Sequence, residues 1–287
     1  MTFRLLRVKH YIKNLFVFLP LFFGAQFAHG GLVIRAAVVF VAFCLMASAA
    51  YILNDILDRA EDQNHPKKSK RPIASGQVKP FQAVLIASGL FLGSVVISAT
   101  VGIGALFVLV AYGVLNLLYS LKLKHVPVLD VVMIAIGFVL RVLAGAIAVH
   151  IVASMWLILL TFLLALFLGL AKRRDDVLLS QEGLQTRRCI DGYNLEFVNA
   201  SMVMMASVVV VSYIFYTISP EVQLRFHTDY LYLTVVYVVV GVMRYMQLTF
   251  VEERSGNPTS VLWRDGFLQL TLGAWVATFA LIIYLHR

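Results

Sequence analysis

The stretch LVIRAAVVFVAFCLMASAAYIL (residues 32–53) runs directly into NDILDRAED (residues 54–62). The first part carries a single charge, Arg35, and is long enough to cross a bilayer as a helix, for which about 20 apolar residues suffice. The second part sets Asp55, Asp58 and Asp62 at the mouth of that crossing. If the helix continues at about 100° per residue, Asn54, Asp58 and Asp62 share one side and Asp55 lies at its edge. Carboxylates in that position are costly unless a cation neutralises them. A hard divalent ion with oxygen ligands, Mg2+ carrying a bound phosphate group, is the expected neutraliser. The basic stretch that follows, with Lys67, Lys68, Lys70 and Arg71, suits such a phosphate, and an arginine there can bind it bidentately.

The rest of the chain repeats the apolar theme. Of 287 residues 61% are hydrophobic and 14% charged, with a mean hydropathy of +0.87, whereas a soluble domain is about a quarter charged. The expectation is an all-α integral membrane protein, one polytopic domain over 1–287. Its nine spans fall at about 14–27, 32–53, 80–100, 103–121, 128–149, 152–171, 196–218, 230–251 and 265–285. Residues 1–13 read as a basic amphipathic segment on the membrane surface. Residues 172–195 read as a polar loop.

Lys and Arg gather in the N-terminal segment and in the loops after spans two, four, six and eight. Only Arg35, Arg225 and Arg287 fall on the other side. This places the N-terminus in the cytoplasm and the C-terminus opposite, in a cytoplasmic (inner) membrane. The formal charge of +9 is therefore a topology signal rather than a nucleic-acid footprint. The first apolar run lacks a cleavage site, so no signal peptide is expected. Cys44 and Cys189 have no metal or disulfide spacing. No HExxH, Walker A, GxSxG or GxGxxG arrangement occurs.

Further polar residues lie near or inside spans. Asp130 opens the fifth span and Arg141 follows 11 residues later, about 16 Å along the same helical face. An arginine that deep faces either a partner in the bundle or an anionic ligand. Lys172 and Arg173 sit at the membrane exit of span six and read as candidate ligand contacts.

Asn54-Asp-x-x-Asp58-x-x-x-Asp62 with Arg71-Pro-Ile-Ala-Ser-Gly76 resembles the first aspartate-rich motif of the UbiA-type prenyltransferase superfamily. The resemblance implies a bundle around a cavity open to the cytoplasm, with Mg2+ bridging Asn54, Asp55, Asp58 and Asp62 to a diphosphate that Arg71 helps to hold. Arg7-Val-Lys-His-Tyr-Ile-Lys13-Asn14, His65-Pro-x-Lys-x-x-Arg71-Pro, Tyr119-Ser-x-x-Leu-Lys124-His-x-Pro-Val-Leu-Asp130 and Gly137-Phe-x-Leu-Arg141 resemble the decaprenyl-phosphate phosphoribosyltransferase branch. So do Lys172-Arg173 with Arg188 and Tyr193, and the Asn257-Pro258-Thr259 turn. That branch moves 5-phosphoribose from phosphoribosyl diphosphate to a polyprenyl phosphate. It implies Asp55, Asp58 and Asp62 as catalytic residues. It implies Lys13, Asn14, Lys67, Lys70, Arg71, Tyr119, Lys124, Asp130, Arg141, Lys172, Arg173 and Arg188 as substrate contacts. UbiA-type prenyltransferases carry a second pair of acids four residues apart, whereas Asp130 has Ile134 at that offset, which favours the compact sugar donor. The alternatives are prenyl transfer to an aromatic or haem acceptor and, from another class, an anion transporter. The transporter would need matched broken helices that the sequence does not show.

Overall fold

The computed structural model describes residues 2–63, 68–182, 188–253 and 258–285, which are helical almost throughout, with no strand among them. Among the described residues eight helices are long and apolar enough to cross a membrane. They are α1 (Gly30–Leu57), α2 (Pro80–Ala99), α3 (Ile103–Leu121) and α4 (Leu129–Ala148). They continue with α5 (Met155–Gln181), α6 (Leu195–Ile218), α7 (Tyr230–Phe250) and α8 (Gly266–Leu285). The chain packs as two units, Met1–Ile158 and Leu159–Arg287.

The first unit is built on α1. Its small residues Ala36, Ala42 and Ala47, with Val39 and Phe43, are buried against Leu109 and Tyr112 of α3 and Ala144 and Ala148 of α4. Small side chains let helix backbones approach closely where no hydrophobic effect drives them together. The segment expected as a first span is not one α-helix. It starts earlier, as a 3-10 helix over Val8–Phe18, and ends as a short α-helix, Leu19–Phe23. Part of the reason is Pro20, which has no N–H to give to the Phe16 carbonyl; that carbonyl takes the Leu19 N–H instead.

This segment runs antiparallel to α1. Arg7 meets Asp55, Tyr11 bonds Ser48 at 2.8 Å, Asn14 donates to Cys44 Sγ at 3.2 Å, and the Phe18 and Phe40 rings lie 5.7 Å apart. The 11-residue 3-10 stretch covers about 22 Å at its rise of about 2.0 Å. Residues 40–55 of α1 cover about the same length at 1.5 Å. Contact with α4 is closest at Gly145, where a Cβ would stand 2.0 Å from the Val17 carbonyl oxygen. At the far end from Asp55, Arg35 donates to Ala148 O at 2.6 Å and Val101 O at 2.9 Å, capping carbonyls at the end of α4 and at the α2–α3 turn.

In the second unit α5 continues ten residues past the expected limit of 171, so Lys172–Gln181 is helix and not loop. Arg173 pairs with Asp176 one turn on. Arg174 ties the extension down, donating to Asn199 Oδ1 at 3.0 Å and Thr249 O at 2.8 Å and stacking over Phe250. Tyr213 joins α6 to α7 and α8, bonding Thr234 Oγ1 and accepting from Trp275 Nε1, both at 2.7 Å. Asn194 caps α6 by accepting the Phe197 N–H.

Candidate active site

The aspartates do not ride one continuous helix. α1 ends at Leu57 with Asp58 as its C-cap, and Asp62 sits on a separate short helix, Arg59–Gln63. The common face expected for Asn54, Asp58 and Asp62 is replaced by two oxygen pairs. Asp55 and Asp62, both buried, share one nitrogen of Arg71, at 3.0 and 2.5 Å. Asn54 and Asp58 share the Lys124 ammonium, which pairs with Asp58 and lies 3.4 Å from Asn54 Oδ1. Asn54 Nδ2 also donates to Asp58 at 2.9 Å.

Local folding aims these cations. In the turn after Lys68–Lys70, the Arg71 N–H bonds Lys68 O, Ser75 N–H bonds Arg71 O and Val78 N–H bonds Pro72 O, all at 2.9 Å. Ile73 is fully buried with Leu5, Ile52, Val78 and Ala83, which fastens the turn onto α1. Gly76, at φ 78°, supplies the left-handed residue the turn needs. Lys124 is buried in a 3-10 turn, Leu123–His125, directly after α3.

A third cation, absent from the expected set, completes the cluster. Arg7 reaches Asp55 from the N-terminal segment and stacks over Tyr51, 5.0 Å from its ring centre. Burial pulls its pKa below the ordinary arginine value, and Asp55 pulls the other way. Arg7 had a signal in the sequence, the Arg7…Lys13-Asn14 motif, but nothing in its spacing points at an aspartate 48 residues away.

The remaining candidates separate. Arg141 is buried, and its three nitrogens donate to Asn14 Oδ1, Gly137 O and the Tyr112 hydroxyl, each at 2.7 Å. The guanidinium also stacks over Tyr112 and Phe138. These partners are all neutral, so its charge is fixed in place without a carboxylate. Asn14 is thereby engaged at both ends of its amide, by Arg141 and Cys44. Asp130 is buried in the first turn of α4, Tyr119 and Lys13 are half-buried, and Lys70 is exposed. Lys172 and the fully buried Arg173 belong to the second unit. Lys67, the Arg188 side chain and the Asn257-Pro258-Thr259 turn's side chains lie outside the described residues.

The sequence pattern of the UbiA prenyltransferase family matches residues 17–270. The chain belongs to that family. It is therefore a membrane transferase. This UbiA-family chain is similar to the decaprenyl-phosphate phosphoribosyltransferase of Mycolicibacterium smegmatis, 29% identical over 97% of this chain and 91% of the relative. It is 31% identical to the enzyme of the same name from Corynebacterium glutamicum, over 98% of this chain and 86% of the relative. Its fold matches a UbiA homolog from Archaeoglobus fulgidus bound to DMAPP and Mg2+, with a TM-score of 0.73 at 17% identity over 98% of both chains.

Among the described residues no three His, Cys, Asp or Glu side chains converge on one point to hold a metal ion. The donor set nonetheless suits Mg2+, since Asn54, Asp55, Asp58 and Asp62 offer only hard oxygens. Mg2+ is usually held by one or two carboxylates with substrate phosphates and water filling the other positions. The two oxygen pairs, each gathered round a single cationic nitrogen, are of the chemical kind such a site uses.

Proposed function

We propose that the chain transfers 5-phosphoribose from phosphoribosyl diphosphate to a polyprenyl phosphate of decaprenyl or undecaprenyl type. Diphosphate is released, and the product supplies lipid-linked pentose for cell-envelope polymers. The observation that carries the reading is the gathering of two oxygen pairs with Arg71 and Lys124 at the end of α1. This arrangement suits a departing diphosphate, and the similarity to the named relatives supports a ribosyl donor.

In this reading Asn54, Asp55, Asp58 and Asp62 hold Mg2+, which when bound neutralises the charge that develops on the leaving diphosphate. Arg71 and Lys124 bind diphosphate oxygens from the protein side. The C1–O bond to diphosphate breaks and a lipid phosphate oxygen bonds C1. That nucleophile is already anionic, so no general base is required. The charge of Arg141, held by Asn14, Gly137 and Tyr112, attracts the lipid phosphate or the 5-phosphate. Lys13, Lys67, Lys70, Tyr119, Asp130, Lys172, Arg173 and Arg188 are assigned to orienting the same anions.

The reading takes residues 1–287 as one domain of the cytoplasmic membrane with a cytoplasm-facing cavity. Residues 8–23 supply a ninth crossing, because about 30 Å of 3-10 and α-helix lies alongside α1 from Asp55 toward its other end. The N-terminus then lies in the cytoplasm and the C-terminus opposite. Prenyl transfer is the second reading, favoured by the fold match to a homolog bound to DMAPP. The test is diphosphate release by purified protein in detergent. Release that requires Mg2+, phosphoribosyl diphosphate and a polyprenyl phosphate together supports ribosyl transfer. Release from a prenyl diphosphate with an aromatic acceptor, and none from the sugar donor, refutes it.

A further inference from the structure

Asp55 accepts from two guanidinium groups, and the two differ in what else they hold. Arg71 bonds Asp62 through the same nitrogen that bonds Asp55. Arg7 has one carboxylate, Asp55, and beyond it rests on the face of Tyr51. Both bonds fall on the same oxygen, Asp55 Oδ1. A divalent cation on this carboxylate sets two further positive charges beside two guanidinium groups, and the repulsion favours release of the one with fewer bonds to lose, Arg7.

Arg7 is also built to move without its backbone. It stands at φ 51°, at the break between the short helix Thr2–Leu6 and the 3-10 stretch that follows. The chain on either side is fixed independently: Leu5 is buried against Ile52 and Ile73, Ser48 donates to Leu6 O at 2.9 Å, and Tyr11 holds Ser48. The Arg7 side chain is 20% exposed, against 4% for that of Asp55, so it has open space to turn into while its backbone stays in place.

We propose that Arg7 occupies Asp55 until a divalent cation arrives with diphosphate, and then swings from the carboxylate to the diphosphate oxygens. The proposal rests on the reading of Asp55 as a metal ligand. It makes metal and diphosphate binding mutually dependent. Metal alone must expel Arg7 with no anion to receive it, whereas metal with diphosphate gives the freed guanidinium a new partner.

The experiment uses full-length protein in detergent and Mn2+ as a paramagnetic probe, with and without inorganic diphosphate, so it does not depend on which donor is used. In the wild type, diphosphate should tighten Mn2+ binding by roughly tenfold or more. Arg7→Gln should tighten Mn2+ binding in the absence of diphosphate by about fivefold or more, and shrink the enhancement that diphosphate brings. Arg7→Lys should restore the wild-type order. A residue that only braces the fold would weaken both measurements together. Wild-type Mn2+–diphosphate binding that Arg7→Gln leaves unaltered overturns the role of Arg7 and leaves Asp55 as a metal ligand. Absence of Mn2+ binding in either protein overturns both.

Discussion

Gly145→Ala tests the packing that places the N-terminal segment against the bundle. The added Cβ would stand 2.0 Å from the carbonyl oxygen of Val17, 2.8 Å from its carbonyl carbon and 3.1 Å from its Cα. Backbone atoms cannot rotate aside, and a relaxed contact needs about 3.5 Å, so the 3-10 stretch must retreat by more than about 1 Å. Val17 is fully buried, so the retreat is resisted. Asn14 lies one 3-10 turn earlier, and its bonds to Arg141 and Cys44, 2.7 and 3.2 Å, would stretch beyond useful length. Overpacking costs about 1–3 kcal/mol, and weakening one hydrogen bond to a charged group costs about 1.5–3 kcal/mol. A loss near 3 kcal/mol lowers Tm by roughly 6–12 °C. Thermal unfolding followed by circular dichroism in detergent measures it. Gly89→Ala is the matched control: nothing lies within 4 Å of its Cβ position on α2, and alanine in a helix interior gains up to about 1 kcal/mol. If Gly145→Ala melts within about 2 °C of Gly89→Ala, the Val17–Gly145 contact is wrong.

Other outcomes follow from single residues. Asp58→Asn keeps the side-chain shape and removes the charge that faces Lys124, so diphosphate release should fall about 100-fold or more while the protein still elutes as a folded species; near-normal turnover would refute the metal assignment. Arg174→Met strips donors from Asn199 and Thr249, which should cost about 2–4 kcal/mol and appear as a lowered Tm. Hydrogen bonds from Arg244 hold the Asp265 carboxyl below its ordinary value of 3.8. Its contribution to stability is therefore present above that value and lost as pH falls through the depressed one. Asp265→Asn should lower Tm at pH 7 and converge with the wild type in strong acid; equal Tm at both pH values would refute the coupling.

The long helices were readable because hydropathy marks them directly, and α2, α3 and α6 begin and end within a residue or so of the apolar runs. Local hydropathy failed where tertiary contacts decide. Lys172–Gln181 looks like loop by charge, yet Arg174 finds acceptors on α6 and α7 and the helix continues. Residues 8–13 look like a surface segment, yet Tyr11 bonds Ser48 in mid-α1 and the stretch enters the bundle. At the candidate site the residue types were legible and their pairing was not. Spacing put Asn54, Asp58 and Asp62 on one face, but the helix break at Asp58 regrouped them around Arg71 and Lys124, which come from elements that periodicity cannot bring together. Arg141 showed in the sequence as a buried charge; its neutral partners, Asn14 and Tyr112, lie on other elements.

The pairing of Asp55, Asp58 and Asp62 with Arg7, Arg71 and Lys124 also bears on how fast a polyanion arrives. Opposite charges in contact form short dipoles, and their field fades well within the Debye length of about 8 Å. On the proposed reading the cluster recognises at touch and does little to draw a ligand from solution. Long-range attraction falls to cations outside the pairs, such as the exposed Lys70 on the turn before Arg71. Ionic strength should then slow capture of a diphosphate while leaving its residence time, set inside the pairs, almost unchanged.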